Sequence, residues 1–231
     1  MNLYDFFGLL NTSFIFISLL GVYSQLKTIW NRKKCVNTKN KASELLSLNQ
    51  FSVSFLAYFS FFIYGYSIEP FNHYIVWPRL IASILVMLIL YEIWLDRLNN
   101  SSKTCLSLAI VIFLTGAIGG AFGGKFTDES KLISMGLIIA VTLLIAQGYY
   151  HQIMLILRSG KTGAIDLKMS QFILMMDIST IAFALSMGLK MGWPLLFLAI
   201  VSGITKLAIM YLFRWVRISD IAKNRRAIPN L

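Results

Sequence analysis

Apolar residues in this chain gather into seven long runs, at about Phe6–Trp30, Leu46–Ile68, Ile75–Leu95, Cys105–Phe122, Leu132–Leu157, Met169–Leu189 and Pro194–Val216. At 1.5 Å per residue, a helix of about 20 residues covers the roughly 30 Å hydrocarbon core of a bilayer. Each run is therefore read as a candidate membrane-spanning helix. The fourth is the shortest and carries Gly116, Gly119, Gly120, Gly123 and Gly124 towards its end. Small residues let helices approach closely in lipid, so a tightly packed connecting helix is expected there.

Polar residues inside the runs fall at helical spacing. Asn11, Ser18 and Gln25 are seven apart in the first run, and Gln50, Ser54 and Tyr58 share a face of the second. Ser170, Asp177 and Thr180 do the same in the sixth, and Ser202 and Lys206 are four apart in the seventh. Residues at these intervals line one side of a helix, so together they can line a water-accessible path. The plainer reading is that serines bond their own helix backbone and serve packing.

Composition fits a membrane protein. The 231 residues are 57% hydrophobic and 13% charged, with a mean hydropathy of +0.70, against roughly 25% charged for a soluble domain. The net charge of +11 does not point to nucleic acid, because the basic residues lie between apolar runs instead of on one face. With the amino terminus outside, sixteen Lys and Arg residues fall on the cytoplasmic side: Lys27, Arg32, Lys33, Lys34, Lys39, Lys41, Arg97, Lys103, Arg158, Lys161, Lys168, Arg214, Arg217, Lys223, Arg225 and Arg226. Only Lys125, Lys131 and Lys190 then face outside. This positive-inside bias predicts an outside amino terminus, a cytoplasmic carboxyl terminus and an odd number of spans. No cleavable signal is expected, since Asp5 precedes the first run and no basic residue comes before Lys27. Cys35 and Cys105 lack metal-type spacing and read as reduced thiols beside cytoplasmic loops.

Three short matches recur in the same order. Tyr23-x-Gln25 pairs with Tyr150-x-Gln152, each where a run meets a basic loop, and Gln50-Phe51 pairs with Gln171-Phe172, each opening the next run. Trp77-Pro78-x-Leu80 pairs with Trp193-Pro194-x-Leu196, each opening the third run of its half. The expected fold is therefore an all-α membrane protein with seven transmembrane helices, as two parallel three-helix repeats joined by a linker helix. The first repeat covers residues 1–100, the linker helix and outer loop 101–131, the second repeat 132–217 and a basic cytoplasmic tail 218–231.

On these residues the chain resembles the PQ-loop superfamily, which includes SWEET sugar transporters, cystinosin-like exporters and KDEL receptors. The family motif is Tyr-Pro-Gln at the end of the first helix of each half, followed by a basic turn with Ser, Thr or Gly. Here it reads Tyr23-Ser24-Gln25 and Tyr150-His151-Gln152, with the turn Arg158-Ser159-Gly160-Lys161-Thr162-Gly163. Both prolines are replaced. In the family they bend the helix during alternating access, and a proline kinks a helix by removing a backbone hydrogen bond, so that hinge does not carry over. Met176-Asp177 looks like the cystinosin-type pattern, in which an intramembrane aspartate handles proton and substrate. The resemblance thus implies a transporter.

Asp177 is the first candidate for chemistry, because an ionisable side chain at mid-bilayer costs about 2.5–3.5 kcal/mol and needs a partner. Lys206 is expected to be that partner. Asp177 lies nine residues past Lys168 and Lys206 eleven before Arg217, so both sit at roughly 14–17 Å depth. The pair is either a switch that substrate or a proton can tip or a lock that fixes helix packing. Gln25, Gln152, Gln50, Gln171, Tyr58 and Ser202 complete the expected substrate or proton pathway. His151 joins it as a side chain able to titrate near neutral pH, with an idle interfacial position as the alternative. Arg79 and Glu92, near opposite ends of the third run, are expected to snorkel to the interface. Trp77 and Trp193 suit the outer interfacial belt, and Pro78 and Pro194 suit a first helical turn.

No HExxH, GxSxG or P-loop pattern is present, and His73 and His151 fall on opposite sides of the membrane, so no enzyme, metal or cofactor is expected. The expected function is transport of a small polar metabolite, an amino acid or similar zwitterion, with proton coupling through Asp177 as an option. A SWEET-like sugar facilitator and a non-transporting receptor or scaffold are the alternatives. The partners are substrate, protons and lipid, with a homo-oligomer left open. Bacterial inner membrane and eukaryotic endomembrane fit equally.

Overall fold

In the computed structural model of the chain, residues 3–35, 42–67, 73–122 and 132–227 are described, and every regular element among them is an α-helix. The helices are α1 (Leu3–Cys35), α2 (Leu48–Ser67), α3 (His73–Arg97), α4 (Asn100–Phe122), α5 (Leu132–Ser159), α6 (Leu167–Ser186), α7 (Leu189–Ile218) and α8 (Asp220–Ala227). Lys39, Lys41, Lys125, Lys131, Gly123 and Gly124 lie outside the described residues, as do the side chains of Cys35 and His73.

Among the described residues six helices, α1 and α3 to α7, are long and apolar enough to cross a membrane. This makes an all-α, multi-pass membrane protein. Of the seven expected apolar runs, the second falls short of that measure: α2 has 20 residues, but Asn49, Gln50, Ser52 and Ser54 in its first half dilute its hydropathy. Other expectations shift by about a turn. α1 extends past both ends of its apolar run, and α3 and α7 begin early enough to put Pro78 and Pro194 in the second turn of each. Trp77 and Trp193 point out of the bundle, as a belt residue would.

Packing follows a paired scheme. α1 contacts α3 and α6, α2 contacts α3, α4 and α5, and α7 contacts α5 and α6. Exchanging α1 with α5, α2 with α6 and α3 with α7 turns each contact among these six helices into another of them. The largest buried cluster joins α1, α2 and α3 with parts of α4 and α6, where Phe51, Phe55, Ile89, Leu90 and Ile93 are closed off and Phe55 stacks on Phe59 at 5.6 Å.

Glycines allow close approach of α1 to α6 and of α5 to α2. A Cβ on Gly21 of α1 would stand 2.9 Å from the Phe172 Cβ and 3.2 Å from the Met169 Cα of α6. A Cβ on Gly148 of α5 would stand 3.2 Å from the Gln50 Cα of α2. Each glycine precedes its motif glutamine by four residues, so the repeated unit is Gly-x-Tyr-x-Gln, at Gly21–Gln25 and Gly148–Gln152.

α4 departs from its expected role. It touches only α2 and α3, and Leu108, Val111, Leu114 and Ile118 are exposed along it. Gly116 does admit the Phe59 ring, but a Cβ on Gly119 would meet open space. It is a peripheral helix held to α2 and α3 through Leu106, Ala109 and Phe113. The basic tail is folded over Asp220–Ala227 as α8, where Arg225 donates to the Leu157 carbonyl and lies over the Trp215 ring. At its start Lys223 donates to Asp220 at 2.8 Å and holds that carboxyl below its usual range.

One end of the bundle is tied together by its loops. Asp96 at the end of α3 accepts from the Ala42 and Ser43 amides at 3.0 and 2.8 Å. Arg32 of α1 donates to the Ala42 and Gly163 carbonyls and pairs with Glu44 at 3.3 Å. Gly160 and Gly163 have φ of +63° and +56°. A side chain there would meet the Ala222 and Glu44 carbonyls, so this turn needs both glycines. Glu92 does not snorkel. It accepts from Trp30 Nε1 at 2.9 Å and pairs with Lys33, holding α3 to α1.

Candidate binding cavity

A cavity of about 670 Å³ lies between the two helix groups. Tyr4 and Asp5 of α1, Tyr64 of α2 and Phe183 of α6 line its mouth, at the end away from the tied loops, with Arg79 of α3 just inside. Its depth is lined by Asn11, Tyr58, Tyr149, Asp177, Ser202 and Lys206. Most of the remaining wall is apolar.

Asp177 is 3% exposed, and its Oδ2 has no hydrogen-bond partner. Lys206 is 2% exposed. They occupy one cavity, as their equal depths predict, but no ion pair within 4.0 Å joins them among the described residues. The Lys206 ammonium sits 3.5 Å from the Tyr149 ring centroid and 3.5 Å from the Ser202 and Thr205 hydroxyls. Ser202 lines the same cavity as Asp177. In place of the expected direct pair, Lys206 is held by a ring and two hydroxyls. The cation–π contact with Tyr149 offsets part of the cost of burying the ammonium.

Above Asp177, Ser179 and Thr180 both donate to Asn11 Oδ1, at 3.0 and 2.9 Å, and join α6 to α1. Ser18, in contrast, bonds its own helix through the Ile15 carbonyl at 2.7 Å, which is the packing alternative. Arg79 overturns the snorkelling expectation. Its guanidinium carbon lies 5.6 Å from the Tyr58 ring and 5.5 Å from the Phe61 ring, and its Nε is buried without a partner.

Below Lys206 the cavity closes. Tyr149 and Gln50 stand together at its floor. Beneath it remains a void of about 10 Å³ beside Gln25, Gln50 and Ser170. The two motif glutamines then seal the end. Gln25 Nε2 donates to the Ala164 carbonyl at 2.7 Å while its Oε1 accepts from the Asp166 amide at 2.8 Å. Gln152 Nε2 donates to the Leu45 carbonyl at 2.8 Å while its Oε1 accepts from the Ser47 amide at 2.6 Å. Asp166 and Ser47 each cap the helix that follows, accepting from Lys168 and Gln50 amides. Each glutamine thus holds the capped start of a helix in the opposite half, the amide group matching a backbone donor and acceptor at once.

These bonds fix the register of the repeat. Both clamps relate α2 to α6 by 119 positions, whereas pairing Gln50 with Gln171 needs two more. Two residues turn a helix by about 200°, so Gln50 is buried and Gln171 is exposed, away from the cavity. At the corrected register Tyr58 is equivalent to Asp177, and both line the cavity. Within the motifs Gln25 and Gln152 are buried, Ser24 is half-buried, and Tyr23, Tyr150 and His151 face outward. His151 therefore leaves the expected pathway, because only every third or fourth residue of α5 can face inward.

Tyr149, Arg79 and Thr205 are the site residues that sequence reasoning missed. Tyr149 was accessible, standing three residues before Gln152 on the same helical face. Among the described residues no group of three His, Cys, Asp or Glu side chains is placed to hold a metal ion. Comparison with family models, with characterised proteins and with solved structures gave no match.

Proposed function

We propose that this chain transports a small zwitterionic metabolite of the amino-acid type by alternating access between two three-helix groups, α1–α3 and α5–α7, with α4 as their link. The observation that carries this reading is the cavity. It reaches between both groups to a buried carboxylate with an unpartnered oxygen, open at one end and closed at the other. A permanent structural lock would leave neither the space nor the free acceptor. In this reading the substrate ammonium meets Asp177, and a proton on Asp177 competes for the same place. The glutamine clamps form the closed gate, and opening it requires both to let go.

The topology belongs to the same proposal. α2 starts at the tied end beside the carboxyl end of α1 and contributes Tyr64 to the mouth at the other. Its 20 residues span about 30 Å. It therefore acts as a seventh crossing whose polar face is turned into the cavity, with the amino terminus outside and the basic tied end cytoplasmic.

Uptake of labelled amino acids into proteoliposomes, with and without an inward proton gradient, tests this. Gradient-driven accumulation that drops at least tenfold in a folded Asp177→Asn variant is the expected result. Undiminished accumulation in that variant removes the proton role. Saturable binding without any flux replaces the transporter with a receptor on the same scaffold.

A further inference from the structure

Among the charged groups lining the cavity, Lys206 already has a ring and two hydroxyls around its ammonium, and Asp5 stands at the mouth. Arg79 is different. Its guanidinium is turned inward between the Tyr58 and Phe61 rings, and its Nε is buried with no acceptor. No carboxylate among the described residues pairs with it within 4.0 Å. Aromatic faces attract the cation but supply no acceptor for its N–H groups, and a buried donor without an acceptor is unfavourable. The missing group is an anionic one with two oxygens, the shape a guanidinium fork binds through two parallel bonds.

We propose that Arg79 is the carboxylate-binding residue of this cavity, and that the molecule it accepts carries a carboxylate on a large apolar body. The size and wall support the second half. About 670 Å³ falls within the roughly 300–1,000 Å³ typical of sites for drug-sized ligands. Leu9, Ile138, Val141, Phe183, Leu195 and Leu198 present apolar surface around it. Arg79 lies nearer the mouth than Asp177, so an α-amino acid with a bulky apolar side chain enters with its carboxylate held above and its ammonium directed below. This rests on reading the cavity as a substrate site and adds the acid group as the feature that selects the substrate.

Three probes that share one ring separate the charges: phenylalanine, 3-phenylpropionate and 2-phenylethylamine, titrated calorimetrically into the purified full chain at neutral pH. The wild type is expected to bind both acids. Arg79→Gln is expected to weaken both at least tenfold without weakening the amine, and Arg79→Lys, which keeps the charge but loses the fork, to fall between. An Arg79→Gln protein that melts like the wild type and still binds both acids equally well overturns the proposal. So does a wild type that binds the amine alone or none of the three. Should Arg79→Gln fail to fold, wild-type acid affinity in Arg79→Lys overturns it and a loss of at least threefold supports it. Arg79-dependent binding without flux keeps this site and removes transport; flux indifferent to Arg79 does the reverse.

Discussion

Gln25 and Gln152 are themselves buried and each satisfies two backbone groups that are buried or half-buried, which makes their loss costly at the closed end. Replacing either by leucine strands a carbonyl and an amide, at about 1–3 kcal/mol for each group. Gln25→Leu and Gln152→Leu are therefore expected to lower the melting temperature by similar amounts. His151→Ala, one position from the Gln152 clamp in α5 but turned outward, is expected to stay within about 0.5 kcal/mol of the wild type. Thermal unfolding of the detergent-solubilised protein measures all three. A large loss in His151→Ala would mean that the outward face of α5 is engaged in something beyond lipid. Leu45, at φ 64°, adds to the argument, since a non-glycine residue in that region costs about 1–3 kcal/mol and is held there by its bond to Gln152.

Between helices, the same economy of form appears as close approach. Gly21 and Gly148 let α1 meet α6 and α5 meet α2 almost backbone to backbone. Valine at either position has to push the partner helix away, and overpacking of this kind costs about 1–3 kcal/mol. Gly119→Val faces open space on α4 and is expected to be neutral or slightly stabilising, because glycine is a poor helix former. The contrast is read from melting temperatures of the three variants. Equal behaviour of all three would show that the crossings relax freely, and the paired packing would lose its significance for gating.

At the scale of the molecule, the question is how many times the chain crosses. Six helices qualify by apolarity alone, which would put both termini on one side; α2 as a seventh crossing puts them on opposite sides. Impermeant labelling of tags at the two ends is expected to reach the amino terminus from outside and the carboxyl terminus only after permeabilisation. Finding both on one side would take α2 out of the set of crossings and with it the exchange of faces that the proposed transport cycle needs.

The chain's own pattern determined a good deal. Long apolar runs separated by basic loops dictate membrane helices whatever their partners, because the bilayer imposes length and apolarity on each segment independently. The Tyr-x-Gln matches fall inside α1 and α5, with Gln25 ten residues before Cys35 and Gln152 seven before Ser159, and counting from the nearest basic residues placed Asp177 and Lys206 at a common level. Depth is a property of a single helix. Facing is not, and that is where the tertiary structure decided. The repeat register moved by two residues once the bonds of Gln25 to the start of α6 and of Gln152 to the start of α2 set which positions correspond, which carried Gln171 out to the surface and made Tyr58 the counterpart of Asp177. Lys206 found an aromatic ring and two hydroxyls closer than a carboxylate, and Arg79 turned inward because rings of α2 offered it a place. A long side chain on a helix reaches several neighbours, and only the packed arrangement of the other helices chooses among them.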